Sequence, residues 1–424
     1  MIIAADGEPR VSILKDGNIK TENPAGGVAI ALDSIAQATE ALYIGRAKNA
    51  GEKASLDKND MMKIKGTNGD YDLKRLFFSD KDVEGYYAGF SNQTLWPLCH
   101  IAYEEPKWTD DWFKKYRLVN EKFADAIKKS LRPDEKTFIW IHDYHLALVP
   151  HLLGRQKNAV IAMFWHIPWP TWEIFRILPY KNEILKSLLS CDFLAFHRGY
   201  QARNFLQTVE RELQTRIDAE TQSVHFEKHV TYVKNLPLGI DVDIVKSMIK
   251  NGEPENGLRR ALKETLNVSE HDHPTDWYFE KYKVIFGADR LDYTKGLRHR
   301  LRSLDRFFEK NPQYRNKVIY LGIIAPSRES VPSYQKVRMD VEDMAIDINL
   351  KYGNKHWKPI HLLYDTFQRA EIINFYNKAD ACVVTPLDDG MNLVSKEFVV
   401  ASSQAENPGM LVLSQFTGSA IDLT

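Results

Sequence analysis

Cysteine is scarce in this chain. Cys99, Cys191 and Cys382 are all it has, far apart and odd in number. No disulfide framework follows from them, and no pair has metal-ligand spacing. A reducing compartment, the cytoplasm, is the expected location. Long apolar runs are missing too. None approaches the ~20 residues that cross a bilayer, so no membrane-spanning helix is expected. The start, Met1-Ile-Ile-Ala-Ala-Asp-Gly, lacks a basic segment ahead of a long apolar one. No signal peptide is expected from it. Net charge is also absent: Lys+Arg and Asp+Glu both total 57. That argues against a nucleic-acid partner, which asks for a basic excess. Local basic pockets stay open, because net charge is silent about distribution. Neither an internal repeat nor a low-complexity tract is visible.

What is present fits a soluble globular protein: 424 residues, 44% hydrophobic and 27% charged. The length suggests two α/β domains. The 48–72 region, rich in Lys, Asp, Asn and Gly, reads as a mobile surface loop. Beyond it the pattern is regular. Phe113, Tyr116, Phe123, Ile127 and Leu131 fall at helical spacing. Thr137–His142, Ala159–Trp165, Asp192–Phe196 and Val230–Val233 read as strands, with helices at Ile184–Leu189 and Tyr200–Leu213. Such alternation predicts a parallel sheet with right-handed crossovers.

Asn235-Leu-Pro-Leu-Gly-Ile240 breaks the rhythm and marks the domain boundary, giving domains over 1–237 and 238–424. A charged helix and loop are expected over 255–281. Strands then recur at Val284–Phe286, Val318–Ile323, His361–Tyr364, Ala381–Val384 and Met410–Leu413, with helices such as 298–310 and 369–378. The fold class is therefore α/β, two doubly wound parallel sheets. Ligands bind such sheets beyond the strand carboxyl ends, and two facing domains would form a cleft. The chain stops just after a strand and the turn Phe416-Thr-Gly-Ser-Ala420, where a further helix is expected.

Four polar clusters follow strands. In Gly287-Ala-Asp-Arg-Leu-Asp-Tyr-Thr-Lys-Gly296, Arg290 and Lys295 put a guanidinium and an ammonium on one loop. A diphosphate suits that pairing, although two ordinary surface cations would read the same. In Thr385-Pro-Leu-Asp-Asp-Gly-Met-Asn-Leu-Val-Ser-Lys-Glu397, a tight turn leads into a helix from Met391. Its first N–H groups can hold phosphate or sugar oxygens. Glu397 could grip two ribose hydroxyls or be a plain solvated carboxylate. In Trp140-Ile-His-Asp-Tyr-His145, two histidines without a third ligand do not make a metal site, so Asp143 is taken as a sugar-hydroxyl acceptor. In Phe164-Trp-His-Ile-Pro-Trp-Pro170, two prolines stiffen the turn after His166, which is either a site residue or a structural one.

The chain resembles glycosyltransferase family 20, the trehalose-6-phosphate synthases. The matching stretches are Gly26-Gly27, Tyr86-Tyr87 through Phe90-Ser-Asn-Gln-Thr-Leu-Trp-Pro97, Ile141-His-Asp-Tyr-His145, His166-Ile-Pro, Pro237-Leu-Gly-Ile240, Arg290-Leu-Asp-Tyr-Thr-Lys-Gly296, Ala325-Pro-Ser-Arg328 and Asp389-Gly-Met-Asn-Leu-Val-Ser-Lys-Glu397. The resemblance implies a GT-B fold, two Rossmann-like domains facing a cleft. The first would bind acceptor and the second nucleotide sugar. It implies metal-independent transfer with retention, from UDP-glucose or another NDP-glucose to glucose 6-phosphate. No cofactor is expected. Small molecules are the expected partners, and a homo-oligomer stays open.

By motif, Arg290 and Lys295 would hold the donor diphosphate and Glu397 the ribose. Asp389, with the N–H groups of Met391, Asn392 and Leu393, would hold sugar hydroxyls and phosphate. Gly27 would let its loop approach the diphosphate. His166 and Asp143 would contact the transferred glucose. Tyr87, Trp96 and Arg328 would line the acceptor pocket, with Arg328 on its phosphate.

Two stretches depart from the family. It usually opens with Ser-Asn-Arg-x-Pro, whose Arg helps bind the acceptor phosphate. Here Ala4-Ala5-Asp6-Gly7-Glu8-Pro9 puts Gly7 at that position, with Arg10 nearby. The family's Trp-x-Gly-Trp-x-Gly becomes Tyr43-Ile-Gly-Arg46-Ala-Lys48, so Arg46 replaces an acceptor-side Trp. These changes imply a relocated phosphate site, with Arg46 or Arg10 taking over, or a different phosphorylated acceptor. A non-catalytic regulatory subunit is the third reading. The intact Arg290, Lys295, Asp389 and Glu397 count against it.

Overall fold

The computed structural model describes residues 1–15, 18–22, 27–48, 50–57, 59–102, 104–250, 257–266 and 276–423. They fall into two compact units, Met1–Leu238 and Gly239–Thr424.

The strands of the first unit are β1 (Ile2–Ala5), β2 (Val11–Lys15), β3 (Asn18–Glu22), β4 (Leu42–Arg46), β5 (Met61–Ile64), β6 (Tyr71–Leu76), β7 (Thr137–His142), β8 (Ala159–Trp165), β9 (Phe193–Phe196), β10 (Arg216–Asp218), β11 (Ser223–Phe226) and β12 (His229–Asn235). Among the described residues, ten of them make one sheet, ordered β10-β11-β12-β9-β8-β7-β1-β4-β6-β5, and β2 pairs with β3. Its middle, from β12 to β6, is parallel; β5, β10 and β11 join antiparallel at the edges. Register aligns Ala5 with His142, His142 with Phe164, and Trp165 with Phe196. The carboxyl ends of β1, β7, β8 and β9 therefore lie side by side. The next residues, Asp6, Asp143, His166 and His197, gather at one end of the sheet.

The helix Asp110–Ser130 shows why these segments fold as they do. Thr109 caps it, accepting from the Trp112 N–H at 3.1 Å. Asp110 and Asp111 occupy its first turn and Lys128 and Lys129 its last, which suits the helix dipole. Phe113, Tyr116, Phe123 and Ile127 are buried on one face.

The second unit holds β13 (Lys283–Arg290), β14 (Val318–Ala325), β15 (Ile360–Leu363), β16 (Ala381–Val384) and β17 (Met410–Leu413). Their order is β15-β14-β13-β16-β17, parallel throughout. β14 is buried along nearly its whole length, as a central parallel strand covered on both faces should be.

The 48–72 region is not the expected loop. Within it lie the helix Ala50–Ala54 and β5, which pairs with β6 through Met61–Lys74 and Ile64–Tyr71. Edge strands tolerate the polar residues that disguised this one. The expected helix and loop over 255–281 contains the helices Gly257–Leu266 and Asp276–Lys281; 251–256 and 267–275 lie outside the described residues. The helix expected from Met391 begins at Leu393, because Asn392 caps it.

Candidate functional site

In the first unit, Asp143 follows β7 with φ 71° and ψ 166°, a region that side chains other than glycine rarely occupy. Its N–H donates to the Phe164 carbonyl at 2.7 Å. Its Oδ1 accepts from the Tyr144 N–H at 2.9 Å and the His166 N–H at 3.0 Å. One strained residue thus ties the end of β7 to the end of β8. His142 Nδ1 lies 3.0 Å from His166 Nε2. Burial pushes the His142 imidazole down to about 3. Burial, then the neighbouring His197, His142 and His145 rings, hold His166 well below the usual range. Both rings are neutral at pH 7.

Arg46, at the end of β4, forms a fork with Asp6 beyond β1: Nε to Oδ1 at 2.7 Å and Nη2 to Oδ2 at 2.9 Å. Tyr86 donates its hydroxyl to the same Oδ1 at 2.9 Å. Burial alone would raise the Asp6 carboxyl, but the Arg46 guanidinium holds it well below the carboxylate range. Arg46 also sits over the Tyr87 ring at 4.9 Å, and that ring stacks on His145 at 5.6 Å. Trp96 packs on His100 at 4.0 Å and on Tyr144 at 5.9 Å. Arg46, Tyr87, Trp96, Asp143 and His166 are therefore brought together around Tyr144 and His145. Arg10 is engaged elsewhere, with Asp33 at 3.1 Å. Gly27 opens the helix Gly27–Thr39; Gly26 lies outside the described residues.

In the second unit, Arg290 is the exposed last residue of β13 and Lys295 lies five residues on. Lys295 Nζ meets Asp389 Oδ2 at 2.6 Å, and Asn392 Nδ2 reaches the same oxygen at 3.1 Å. The loops after β13 and β16 are stitched together further down. The Leu387 N–H donates to the Thr294 carbonyl at 2.7 Å. Gly296, at φ 62°, leaves no room for a side chain: a Cβ there would sit 1.9 Å from the Thr385 carbonyl oxygen. Buried Arg300 braces the junction, donating to Thr385 Oγ1 at 3.0 Å, Tyr320 Oη at 3.1 Å and Asp289 Oδ2 at 2.6 Å. Asn392, also at φ 71°, caps the helix Leu393–Ser402 by accepting from the Ser395 N–H at 3.0 Å. Met391 is buried just ahead of it. Glu397 pairs with Arg369 at 2.7 Å; burial raises its carboxyl more than that guanidinium lowers it.

Arg328 stands in this second unit at φ 51°, donating to Asp292 Oδ2 at 3.1 Å and to the Tyr334 hydroxyl. Arg290, Lys295, Asp389, Asn392 and Glu397 share two adjacent loops and one helix, while Arg328 joins them through Asp292 of the first loop. Sequence reasoning missed Asp6, Arg300, Arg369 and the pairing of His142 with His166. Opposite charges at neighbouring strand ends were the only available signal for Asp6. Among the described residues, no group of three or more His, Cys, Asp or Glu is placed to hold a metal ion. Nor is any helix among them long and apolar enough to cross a membrane.

Two parallel-sheet domains with polar loops at the strand carboxyl ends define a GT-B fold. Residues 2–424 match the profile of glycosyltransferase family 20. An alpha,alpha-trehalose-phosphate synthase [UDP-forming] A of Dictyostelium discoideum is 35% identical over 98% of this chain and 53% of its own length, so the chain spans about half of that relative. A solved Burkholderia xenovorans alpha,alpha-trehalose-phosphate synthase (UDP-forming), in complex with glucose-6-phosphate, superposes with TM-score 0.83 at 29% identity, covering 100% of this chain and 86% of the other. An E. coli structure described as trehalose-6-phosphate bound with UDP-2-fluoro glucose gives TM-score 0.81 at 31% identity, with 100% and 86% covered. The chain belongs to glycosyltransferase family 20.

Proposed function

We propose that the chain moves glucose from UDP-glucose to glucose 6-phosphate, forming α,α-trehalose 6-phosphate with retained configuration and without a metal. The first unit takes the acceptor and the second the nucleotide sugar. The observation that carries this reading is the meeting of Lys295, Asp389 and Asn392 at one carboxylate oxygen, beside the exposed Arg290. A diphosphate entering there would share Lys295 with Asp389, whose carboxylate keeps the Asn392 amide as a donor.

Arg290 and Lys295 stabilise the charge that grows on the departing diphosphate. Glu397 accepts from the ribose hydroxyls. Asp389 and the N–H groups of Met391, Asn392 and Leu393 hold donor sugar and phosphate oxygens, and Gly27 lets its loop approach the diphosphate. His166 and Asp143 hold the transferred glucose. Tyr87, Trp96 and Arg328 line the acceptor site. In the step itself, the bond from the anomeric carbon to the diphosphate oxygen breaks. The acceptor hydroxyl oxygen bonds to that carbon on the same face, and its proton passes to the leaving phosphate oxygen. A trapped glucosyl-enzyme adduct would contradict this route.

Buried Cys99, Cys191 and Cys382, none of them disulfide-bonded, suit a cytoplasmic enzyme. The test is acceptor-dependent release of UDP, with glucose 6-phosphate, glycerol 3-phosphate or no acceptor, and Arg290→Ala as control. Release with glucose 6-phosphate is expected. One observation favours a second reading, a different phosphorylated acceptor: Arg46 spends its charge on Asp6 instead of offering it to a phosphate. Release with glycerol 3-phosphate alone would select that reading. UDP binding with no release would select a regulatory subunit.

A further inference from the structure

The loop after β1 leads into a buried cluster whose charges do not balance. Glu8 belongs to that loop, Glu52 to the helix Ala50–Ala54 and Arg75 to β6. All three side chains are buried. Arg75 Nε donates to Glu8 Oε2 at 2.6 Å. Its Nη1 and Nη2 go to neutral oxygens: Ser55 Oγ at 2.7 Å, the Arg10 carbonyl at 3.0 Å, and Ser12 Oγ and the Glu52 carbonyl at 3.3 Å. Glu52 Oε2 accepts from the Lys48 N–H, two residues past Arg46. The Glu52 and Glu8 carboxyl groups are hydrogen-bonded to each other.

One guanidinium thus stands against two carboxyl groups, and the neighbouring charges do not make up the difference. Asp6, on the same loop, is closed by Arg46, and Arg10 is held by Asp33. Tyr43, facing Glu8 from β4, donates its hydroxyl to the Gly7 carbonyl at 2.7 Å. Lys48 and Lys53, on either side of Glu52, are exposed. Two ionised carboxylates have no donor with which to hydrogen-bond each other; a proton between them supplies it. Glu8 Oε1, buried and meeting no donor among the described residues, has a position open for that proton. Burial raises the Glu8 carboxyl, the Arg75 guanidinium lowers it and Glu52 raises it again, to about 8.

We propose that Glu8 and Glu52 hold one proton between them, a buried latch that ties the loop after β1 to the segment after β4 and opens when that proton is lost at alkaline pH. With the proton, the cluster is neutral: one guanidinium, one carboxylate and one carboxyl. Without it, two carboxylates are pressed together out of water. The latch underlies the Arg46–Asp6 fork, whose two members sit on the chain segments it joins. Its effect on the acceptor rests on the transfer reading above; the shared proton does not. Unfolded, Glu8 titrates at its ordinary value of 4.5. The folded chain therefore holds an extra proton from there up to about 8, and stability falls as pH rises through that window.

The test uses the full chain and Glu8→Gln, whose amide is neutral and donates as the protonated carboxyl does. An infrared difference spectrum, wild type minus variant at about pH 6, should show one un-ionised carboxyl band that fades by about pH 9.5. Absence of that band overturns the proposal. Relative to Glu8→Gln, the wild-type folding constant should fall about tenfold per pH unit between about pH 5.5 and 7.5, the signature of one bound proton. Equal slopes overturn it too. Glu52→Gln should also lose that slope, and it serves as the reference should Glu8→Gln not fold. Between about pH 7 and 9.5, KM for glucose 6-phosphate should rise about three- to tenfold more in wild type than in Glu8→Gln, as the closed form becomes the minor one. The same rise in both chains would mean that the proton closes nothing, and would sink the latch. In a chain that transfers no glucose, backbone hydrogen exchange over 6–10 at about pH 9.5 takes the place of KM. Faster exchange in wild type than in Glu8→Gln would keep the latch while the transfer reading falls; equal exchange would sink both.

Discussion

The strand-end sites of the two units use charge differently, although each unit also buries ion pairs, in the second Arg300–Asp289 and Arg328–Asp292. The first buries its ions against each other. Arg46 and Asp6 form a closed fork, and fully buried Arg75 donates to Glu8 at 2.6 Å. What its strand ends present to each other is two neutral imidazoles and one carboxylate, Asp143, that accepts two backbone N–H groups. The second unit brings charge to its loops, with exposed Arg290, the Lys295–Asp389 pair and the Arg369–Glu397 pair. Neutral donors and acceptors discriminate hydroxyl groups; an ion pair beside an exposed guanidinium can be opened by a phosphate. On the proposed transfer, the contrast would divide recognition of a sugar from stabilisation of a leaving diphosphate.

The sharpest way to break the contrast is to unpair the buried ions. Arg46→Ala leaves the Asp6 carboxylate buried without its fork. Removing one partner of a buried pair costs about 3–5 kcal/mol. Urea unfolding should register that loss, and Asp6→Asn in the same chain should recover much of it. Equal stability of Arg46→Ala and wild type would show that the pair carries no buried charge. A comparable change in the second unit should strike catalysis instead. Lys295→Ala is expected to lower kcat for UDP release by about 10²–10³, on the scale of one lost transition-state donor. Its unfolding midpoint should move less than that of Arg46→Ala, since the Lys295–Asp389 pair is less deeply buried than the Arg46–Asp6 pair. A Lys295→Ala chain that unfolds early but turns over normally would reverse the comparison.

The strained strand end of the first unit offers a finer test. Asp143 holds φ 71° for the sake of its carboxylate. Asp143→Ala and Asp143→Gly both remove that carboxylate, and both should lose transfer activity. They differ in backbone freedom alone. The glycine variant should be the more stable of the two by about 1–2 kcal/mol. If thermal unfolding ranks them equally, the backbone there is not strained.

Much of this was legible before the structure. Thr137–His142, Ala159–Trp165, Ala381–Val384 and Met410–Leu413 are strands within the same bounds as read, because buried parallel strands appear as unbroken apolar runs. The residues following those strands were readable as candidates for the same reason. Their partners were not. Lys295 and Asp389 are 94 residues apart and Arg46 and Asp6 are 40 apart, and only strand order brings them together. Strand order is set by crossovers that the local pattern does not encode. The segment Glu84–Leu95, which carries Tyr86 and Tyr87, winds as a π-helix. A search for a 3.6-residue period cannot see it. Edge strand β5 was lost to its polar surroundings.

The smallest effect concerns pH and belongs to the second unit. Asp388 precedes Asp389 on the loop after β16. Burial first, and the Asp389 charge second, push its carboxyl up to about 7 against the Asp389 N–H and Lys295. Below that pH Asp388 is neutral; above it the loop carries two adjacent negative charges. The second charge opposes a diphosphate arriving at Lys295. Donor KM should therefore rise between pH 6 and pH 8, by about three- to tenfold for one partly screened charge. Asp388→Asn is neutral at every pH and should flatten that rise while leaving KM at pH 6 near the wild-type value. Should the variant keep the wild-type slope, some other group titrates, and the charged loops of the second unit are less finely poised than their pairing implies.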